Sequence, residues 1–512
     1  MAVDRIRIKE GNTGILYLSK NNGTEERYIP DSDLEKTREL LLEFQELRCE
    51  NGKLLKDNYK HMGYNWYPTM VSFLYWRCFF PYVRYKTLLH DLIDKKTIVD
   101  FQNKDVFYSI YRVMTENIFK LRVKLLIFYI LLRINNLLTI KRFPYKMMFF
   151  RFSFDDFRSV EIRNALDKLG VKYIQVVPPG RTKEILKYML KKEPYYYYRG
   201  IAFRNRFKFQ YDLSNCDQHT KIIFIKAIDY IEKTISASIN EFKVHDKLIR
   251  KSAIKVLYGF DDCNEYIFPL LYALNKNGIP TIAHQHGAYV KRHAGYIMEG
   301  IEKEDYKWFD KIIVWGKYWK NHLLAISKVY SDEKIVIGSS KIKYDYSLTE
   351  NTNGHQKNIL IPYEFVGNTY KIGRYIEKFL EFGYNVYFKP RPDEEVKDQL
   401  AAYCLSDETL GKIIVAGKLD KELMRKIDIV AGAMTTLVYE MLPYNKIIWI
   451  LDTEYKHLED LVEDGYAHKV KYEDIETLSR DYFVKTKIES ENFFCPETLP
   501  ETLTKQVIGY LN

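Results

Sequence analysis

From residue 145 onward the chain alternates short apolar runs with helical segments, stops, and then begins the same alternation again. That rhythm predicts strand–helix–strand units, which close into parallel sheets with helices on both faces. In the first series the runs from Met147 to Phe152, Lys172 to Val177, Ile254 to Phe260, Pro280 to Ala283, Lys311 to Trp315 and Lys334 to Ile337 read as strands. Helices are expected from Phe157 to Leu169, His219 to Lys243 and Glu265 to Lys276. Between Tyr346 and Gln356 the apolar pattern lapses into a polar linker. The second series places strands at Asn358 to Pro362, Asn385 to Phe388, Lys412 to Val415, Asp428 to Ala431 and Lys446 to Leu451. A chain of 512 residues is too long for one core. The expectation is therefore an α/β protein with two Rossmann-like, doubly wound domains, residues 145–345 and 357–485, facing a cleft across the linker 346–356. Residues 1–144 read as a helical, partly apolar extension of the first domain, and 486–512 as a tail.

Charge narrows the partners. The formal net charge is +11, which favours polyanions. No Arg/Gly-rich arm, zinc-finger spacing or RNA-binding aromatic signature supports nucleic acid, leaving phosphorylated substrates or anionic lipid. The cysteines Cys49, Cys78, Cys216, Cys263, Cys404 and Cys495 have no paired spacing, so neither a disulfide framework nor a zinc site is expected, and a reducing, cytosolic compartment is. The first residues carry no apolar signal core. From Asn117 to Phe154 there is no acidic residue, and basic side chains are interspersed with Leu, Ile and Phe. The run from Leu125 to Leu132 is far shorter than the roughly 20 residues that span a bilayer. This stretch, like the aromatic patch from Met70 to Phe80, suits either an anionic membrane surface or a domain core. The 43 Tyr and 29 Phe suit sugar faces and membrane interfaces, or reflect an AT-rich genome.

Candidate chemistry lies at strand ends, where open α/β sheets bind their ligands. Ile279 to Gly287 ends a strand in His284-Gln285-His286-Gly287, followed by Lys291, Arg292 and His293. An imidazole placed there can take a proton near neutral pH; the bland alternative is a solvated loop. His284 and His286 share a strand face, so His284 is a candidate to orient His286. Asp261 and Asp262 end another strand as adjacent carboxylates, which suits a general base, a cation site or simply a helix start. In the second domain, Gly432, Thr435, Thr436 and Glu440 mark a strand-to-helix turn whose N–H groups and hydroxyls suit a phosphate, with Glu440 for a ribose. Helix capping explains the same residues and is compatible with that use. Lys389-Pro390-Arg391-Pro392 holds two cations at a strand end, a cradle for pyrophosphate, and Glu364 follows the first strand in a turn toward the cleft. There is no dinucleotide fingerprint, Walker A sequence, His-Glu-x-x-His or nucleophile elbow, so hydride transfer, ATP-driven chemistry and serine hydrolysis lose support.

With those motifs in place, residues 145–480 resemble the GT-B fold of nucleotide-sugar-dependent glycosyltransferases. The Gln285-His286-Gly287 loop and the stretch from Gly432 to Glu440 resemble bacterial capsule glycosyltransferases and teichoic-acid CDP-glycerol glycerophosphotransferases. The resemblance implies His286 as catalytic base, with Lys389 and Arg391 on the donor phosphates and Thr435, Thr436 and Glu440 around the donor. Arg391 stands where those families carry His, a departure that bears on the cytidine-type donor. Implied partners are a CMP-, CDP- or UDP-linked donor and a saccharide or lipid-linked acceptor at the inner face of a membrane, with no metal and no covalent cofactor. An epimerase of the same fold and a non-catalytic surface-polysaccharide assembly protein are the alternatives.

Overall fold

The protein is described from a computed structural model that covers the chain except residues 1–4, 12–13, 21–22, 31–32, 116–122, 152–158, 179–181, 199–205, 261–265, 341–356, 365–368, 393–394, 454, 484–488 and 512. The expected linker, 346–356, and both Asp261 and Asp262 lie outside the described residues.

Both predicted sheets form. The first contains β5 (Met147–Phe150), β6 (Tyr173–Val177), β7 (Tyr195–Tyr197), β8 (Val256–Gly259), β9 (Thr281–His284), β10 (Lys311–Val314) and β11 (Ile335–Ile337). They pair in parallel in the order β11-β10-β9-β8-β5-β6-β7. The second contains β12 (Asn358–Pro362), β13 (Asn385–Lys389), β14 (Ile414–Val415), β15 (Ile429–Gly432), β16 (Ile447–Leu451) and β17 (His468–Val470), again parallel, in the order β14-β13-β12-β15-β16-β17. In each sheet the chain runs outward from the first strand, returns to its other side and runs outward again, which is the doubly wound Rossmann order. The order reverses between β5 and β8 in the first sheet and between β12 and β15 in the second. Continuous burial of Met147–Phe150, Val256–Gly259 and Ile447–Leu451 follows from helices on both faces.

The N-terminal region is more than the expected helical extension. It carries a four-stranded sheet in the order β3-β2-β1-β4, formed by β1 (Arg5–Glu10), β2 (Leu16–Lys20), β3 (Glu25–Tyr28) and β4 (Ile98–Phe101). Arg5 to Glu10 alternates exposed and buried with period two, so Ile6 and Ile8 face the core while Arg5, Arg7 and Lys9 face water. The aromatic patch around Met70 to Phe80 is core: Met70, Leu74, Tyr75, Phe79 and Phe80 are buried, and Leu74–Phe79 is a π-helical turn leading into the helix Phe80–Asp94.

The basic stretch forms the helix Val123–Arg142, which seals the open edge of β7. Asn136 exchanges two hydrogen bonds with the main chain of Tyr197, and Asn135 and Thr139 donate to the Tyr195 carbonyl. These side chains satisfy the ladder groups an edge strand leaves open. The final residues are no free tail either. The helix Leu499–Gln506, started by a Thr498–Glu501 capping box, packs Leu503 among Met147, Ile162 and Ile282 of the first domain. One hydrophobic cluster joins all three parts, from Ile8 and Tyr75 through Leu257 and Trp315 to Val430 and Ile448.

Candidate functional site

The exit of β9 is built to hold one conformation. Gln285 is fully buried; its amide donates to the Gly287 carbonyl at 2.9 Å and its carbonyl oxygen accepts from the Trp315 N–H at 2.9 Å. The Trp315 indole N–H donates to the Gln285 carbonyl at 2.9 Å. A buried amide with its groups engaged fixes the loop that follows. His286 and Gly287, half-buried, emerge from that anchor.

His284 has a different part from the one expected. Its Nε2 donates to the Ser339 carbonyl at 2.9 Å, so Nδ1 is the acceptor for the Tyr258 hydroxyl at 2.6 Å. Burial pushes the Tyr258 phenol well above its ordinary range, which keeps that hydroxyl a donor. With both nitrogens committed to the first domain, His284 has none left to orient His286. It is a satisfied core histidine.

After Gly287 the loop is clamped to the second domain. Asp460, on the helix Glu459–Glu463, accepts from the Lys291 N–H at 2.9 Å and lies 3.0 Å from Nε2 of His322. Burial pushes the Asp460 carboxyl up, but the hydrogen bonds from His322 and the Lys291 amide outweigh it and hold the group below its ordinary range. Arg292 pairs with Glu459 at 3.2 Å and Tyr318 donates to Asp464 at 2.8 Å. Gly287 thereby faces the second domain, where a Cβ added to it would lie 3.6 Å from Oγ1 of Thr436.

That turn differs from expectation in its central feature. Glu364, 1 % exposed, sends Oε1 into it and accepts from the N–H groups of Ala433, Met434 and Thr435 at 2.8, 3.1 and 3.2 Å. The main-chain donors expected to hold phosphate are thus occupied by a carboxylate of the chain itself. Glu364 lies two residues past β12, at the point where the strand order reverses. Burial pushes its carboxyl up to about 7, against the opposing pull of those three N–H groups. Gly432 is required for the approach, because a Cβ there would sit 2.7 Å from Glu364 Oε1 and 2.9 Å from Val438.

Thr435 accepts from the Leu437 N–H at 3.3 Å, an intrahelical start, and Glu440 is half-buried in the helix Leu437–Met441. Lys389 pairs in register with Pro362 at the ends of β13 and β12. Its ammonium donates to the Pro390 carbonyl, and burial lowers its pKa. Gln399 grips the main chain of Arg391 through both its N–H and its carbonyl, each at 2.9 Å. The second-domain candidates therefore share the carboxyl end of one sheet, whereas His286 faces them from the first. Among the described residues no three His, Cys, Asp or Glu side chains converge as a metal cage.

Several residues at this junction were not singled out from the sequence as site residues. Tyr455, His457 and Asp460 follow β16, and the strand-end rule alone pointed there. Trp76 and Arg84 arrive from the N-terminal region; Trp76 lies 5.3 Å from the His293 ring and Phe80 6.3 Å from Tyr455, between centroids. No local pattern marks such long-range neighbours.

No family model matches the chain. It is 24% identical over 295 residues to an uncharacterized protein of Methanocaldococcus jannaschii, covering 54% of this chain and 52% of that one. The chain thus spans about half the length of the curated relative it matches. In backbone it is similar to MurG of Acinetobacter baumannii, with 13% identity, 71% of this chain and 99% of that chain covered, and a TM-score of 0.42. It is similar also to the UDP-GlcNAc 2-epimerase of Neisseria meningitidis bound to UDP-GlcNAc, with 12% identity, 71% and 99% covered, and a TM-score of 0.39. A third likeness is to CalG4, the calicheamicin glycosyltransferase, with 10% identity, 72% and 95% covered, and a TM-score of 0.40. At these identities the likeness concerns backbone arrangement alone, and the paired Rossmann sheets rest on the strand orders themselves.

Proposed function

We propose that the chain is a transferase that moves a glycosyl or polyol-phosphate group from a nucleotide-activated donor to a surface polysaccharide or lipid-linked acceptor. The observation that carries this reading is the meeting of two strand-end loops: Gly287, next to His286, faces Thr436 at the reversal point of the second sheet. A reaction between two bound molecules needs such opposed walls. The donor would lie on the second domain, with Lys389, Arg391 and the hydroxyls of Thr435 and Thr436 toward the departing phosphate. The amides of residues 433–435 belong to Glu364 in this scheme, so the side chains carry the phosphate contacts. The acceptor hydroxyl loses its proton to His286 as it attacks.

The assay is transfer of label from a panel of nucleotide sugars and CDP-glycerol to added acceptors. His286→Ala should lower transfer about 10²- to 10⁴-fold. Unchanged transfer overturns the assignment, and inversion of the sugar without an acceptor makes the protein an epimerase.

A lipid-linked acceptor would place the protein on a membrane surface, although no helix among the described residues is long and apolar enough to cross one. The helices Val123–Arg142 and Thr182–Leu190 leave Ile130, Ile134, Leu137, Leu186 and Leu190 exposed, the last at 83 %, beside exposed Lys141, Arg142, Lys183 and Lys187. An apolar stripe bordered by cations suits an anionic leaflet. Ile134→Ser with Leu190→Ser should reduce co-sedimentation with phosphatidylglycerol vesicles; equal sedimentation would remove the membrane from the scheme.

A further inference from the structure

Among the described residues, several buried polar atoms close to the His286 loop lack a hydrogen-bond partner, including Trp76 Nε1, Glu364 Oε2, Tyr455 Oη, Nδ1 of both His293 and His457, and Oδ1 of Asp460. Each such group costs about 1–3 kcal/mol in a folded protein, and natural structures keep few of them. They come from all three parts of the chain yet lie together. The rings of Trp76 and His293 are 5.3 Å apart and those of Tyr455 and His457 are 5.6 Å apart. His457 and His286 both act electrostatically on His293, and Glu364 acts on Tyr455. Tyr455 is fully buried and His457 is 9 % exposed.

The construction around these atoms is deliberate. Trp76 sits on the π-helical turn Leu74–Phe79, a local irregularity that often marks functional sites. Tyr75, beside it, donates to the Leu34 and Arg292 carbonyls at 3.1 and 3.3 Å, tying that turn to the loop that follows His286. His293 stacks on Tyr296 with centroids 4.2 Å apart.

The chemistry of the set selects its ligand. It mixes an indole donor, a phenol that gives and takes, and imidazole and carboxyl atoms, which together match the hydroxyls of a polyol. Burial pushes the imidazoles of His293 and His457 down to about 3 and about 4, so both are neutral near pH 7 and act as hydrogen-bonding groups, not as cations.

We propose that Trp76, His293, Tyr455, His457 and the outer oxygen of Glu364 form the subsite that binds the hydroxyl groups of the transferred sugar or polyol. This rests on the transferase reading and adds to it that the N-terminal region builds one wall of the site. The nucleotide lies elsewhere, along the ends of β12, β13 and β15.

The test compares nucleoside diphosphates with their sugar or polyol conjugates by titration calorimetry: UDP with UDP-GlcNAc and UDP-glucose, GDP with GDP-mannose, and CDP with CDP-glycerol. The protein is used as the full chain, as wild type, Tyr455→Phe and Trp76→Phe. For the conjugate that binds, each variant should weaken binding about five- to tenfold, the loss of one hydrogen bond. Binding of the parent diphosphate should stay unchanged. Thermal stability should be kept or raised in Tyr455→Phe, because an unpartnered hydroxyl is removed. Equal loss for diphosphate and conjugate, or no loss for either, overturns the subsite while leaving the nucleotide cleft standing. A wild-type protein that binds none of these, nor CMP and a CMP-linked sugar, overturns the transferase reading, and the subsite with it.

Discussion

Replacing Glu364 by Gln removes one charge where three main-chain N–H groups converge, while keeping an oxygen for them to donate to. The carboxyl titrates at about 7 in the folded protein against an ordinary value of 4.5. Between those values the folded chain holds a proton that the unfolded chain has released. The resulting stability is fully present below pH 4.5 and is lost as pH rises through 7. At about 1.36 kcal/mol per pH unit, the loss amounts to about 3 kcal/mol. Glutamine has no such loss. Urea unfolding of both proteins from pH 4.5 to 8 measures it directly, because groups common to both, His293 and His457 included, cancel to first order in the difference. The stability of Glu364→Gln relative to the parent should climb by about 3 kcal/mol across that range. A flat difference would show that the carboxyl is not held in a desolvated pocket, and the argument for its seat among the amides would fall.

Asp460→Ala removes the acceptor shared by His322 and the Lys291 amide and should destabilise the protein by about 3–5 kcal/mol, the range for breaking a buried pair. It should also make the loop between Gly287 and His293 the first site of limited proteolysis; an unchanged cleavage pattern would refute the clamp. His293 and His457 titrate at about 3 and about 4 in the folded protein, against an ordinary 6.5. The unfolded chain therefore takes up protons first as pH falls, and the stability present above 6.5 is lost progressively, down to about 4 for His457 and about 3 for His293. At pH 5 the two together should cost about 2–4 kcal/mol, and His293→Gln with His457→Gln should flatten that decline in a thermal-melt series.

Much of the fold was legible because its signals are local. Apolar runs such as Asn358–Pro362 and Ile447–Leu451 are short, flanked by turn residues and spaced by helical segments, so both sheets could be placed from the chain alone. β7 escaped because it is three tyrosines long, without alternation, and is held by side chains from a helix some 60 residues earlier. The N-terminal sheet had a usable signal in the period-two pattern of Arg5 to Glu10, but its partner β4 lies more than 90 residues away. At the site, the turn from Gly432 to Thr436 was found, while what fills it was not. Hydrogen bonds such as Glu364 to Ala433 join residues 69 apart, and no spacing rule reports them. His284 misled for the same reason, since its partners Tyr258 and Ser339 come from distant strand ends.

The return of Leu499–Gln506 to the first domain bears on how the chain is made. Ser339, just past β11, donates its N–H to Thr502 at 2.8 Å, and Trp319 donates to the Phe493 carbonyl at 3.0 Å. During synthesis all of the second domain leaves the ribosome before these residues do. The domain translated earlier is therefore completed later, and until then its Met147–Ile282 surface lacks its cover. Closure of the first domain therefore waits on residues that emerge last, with the whole second domain translated in between.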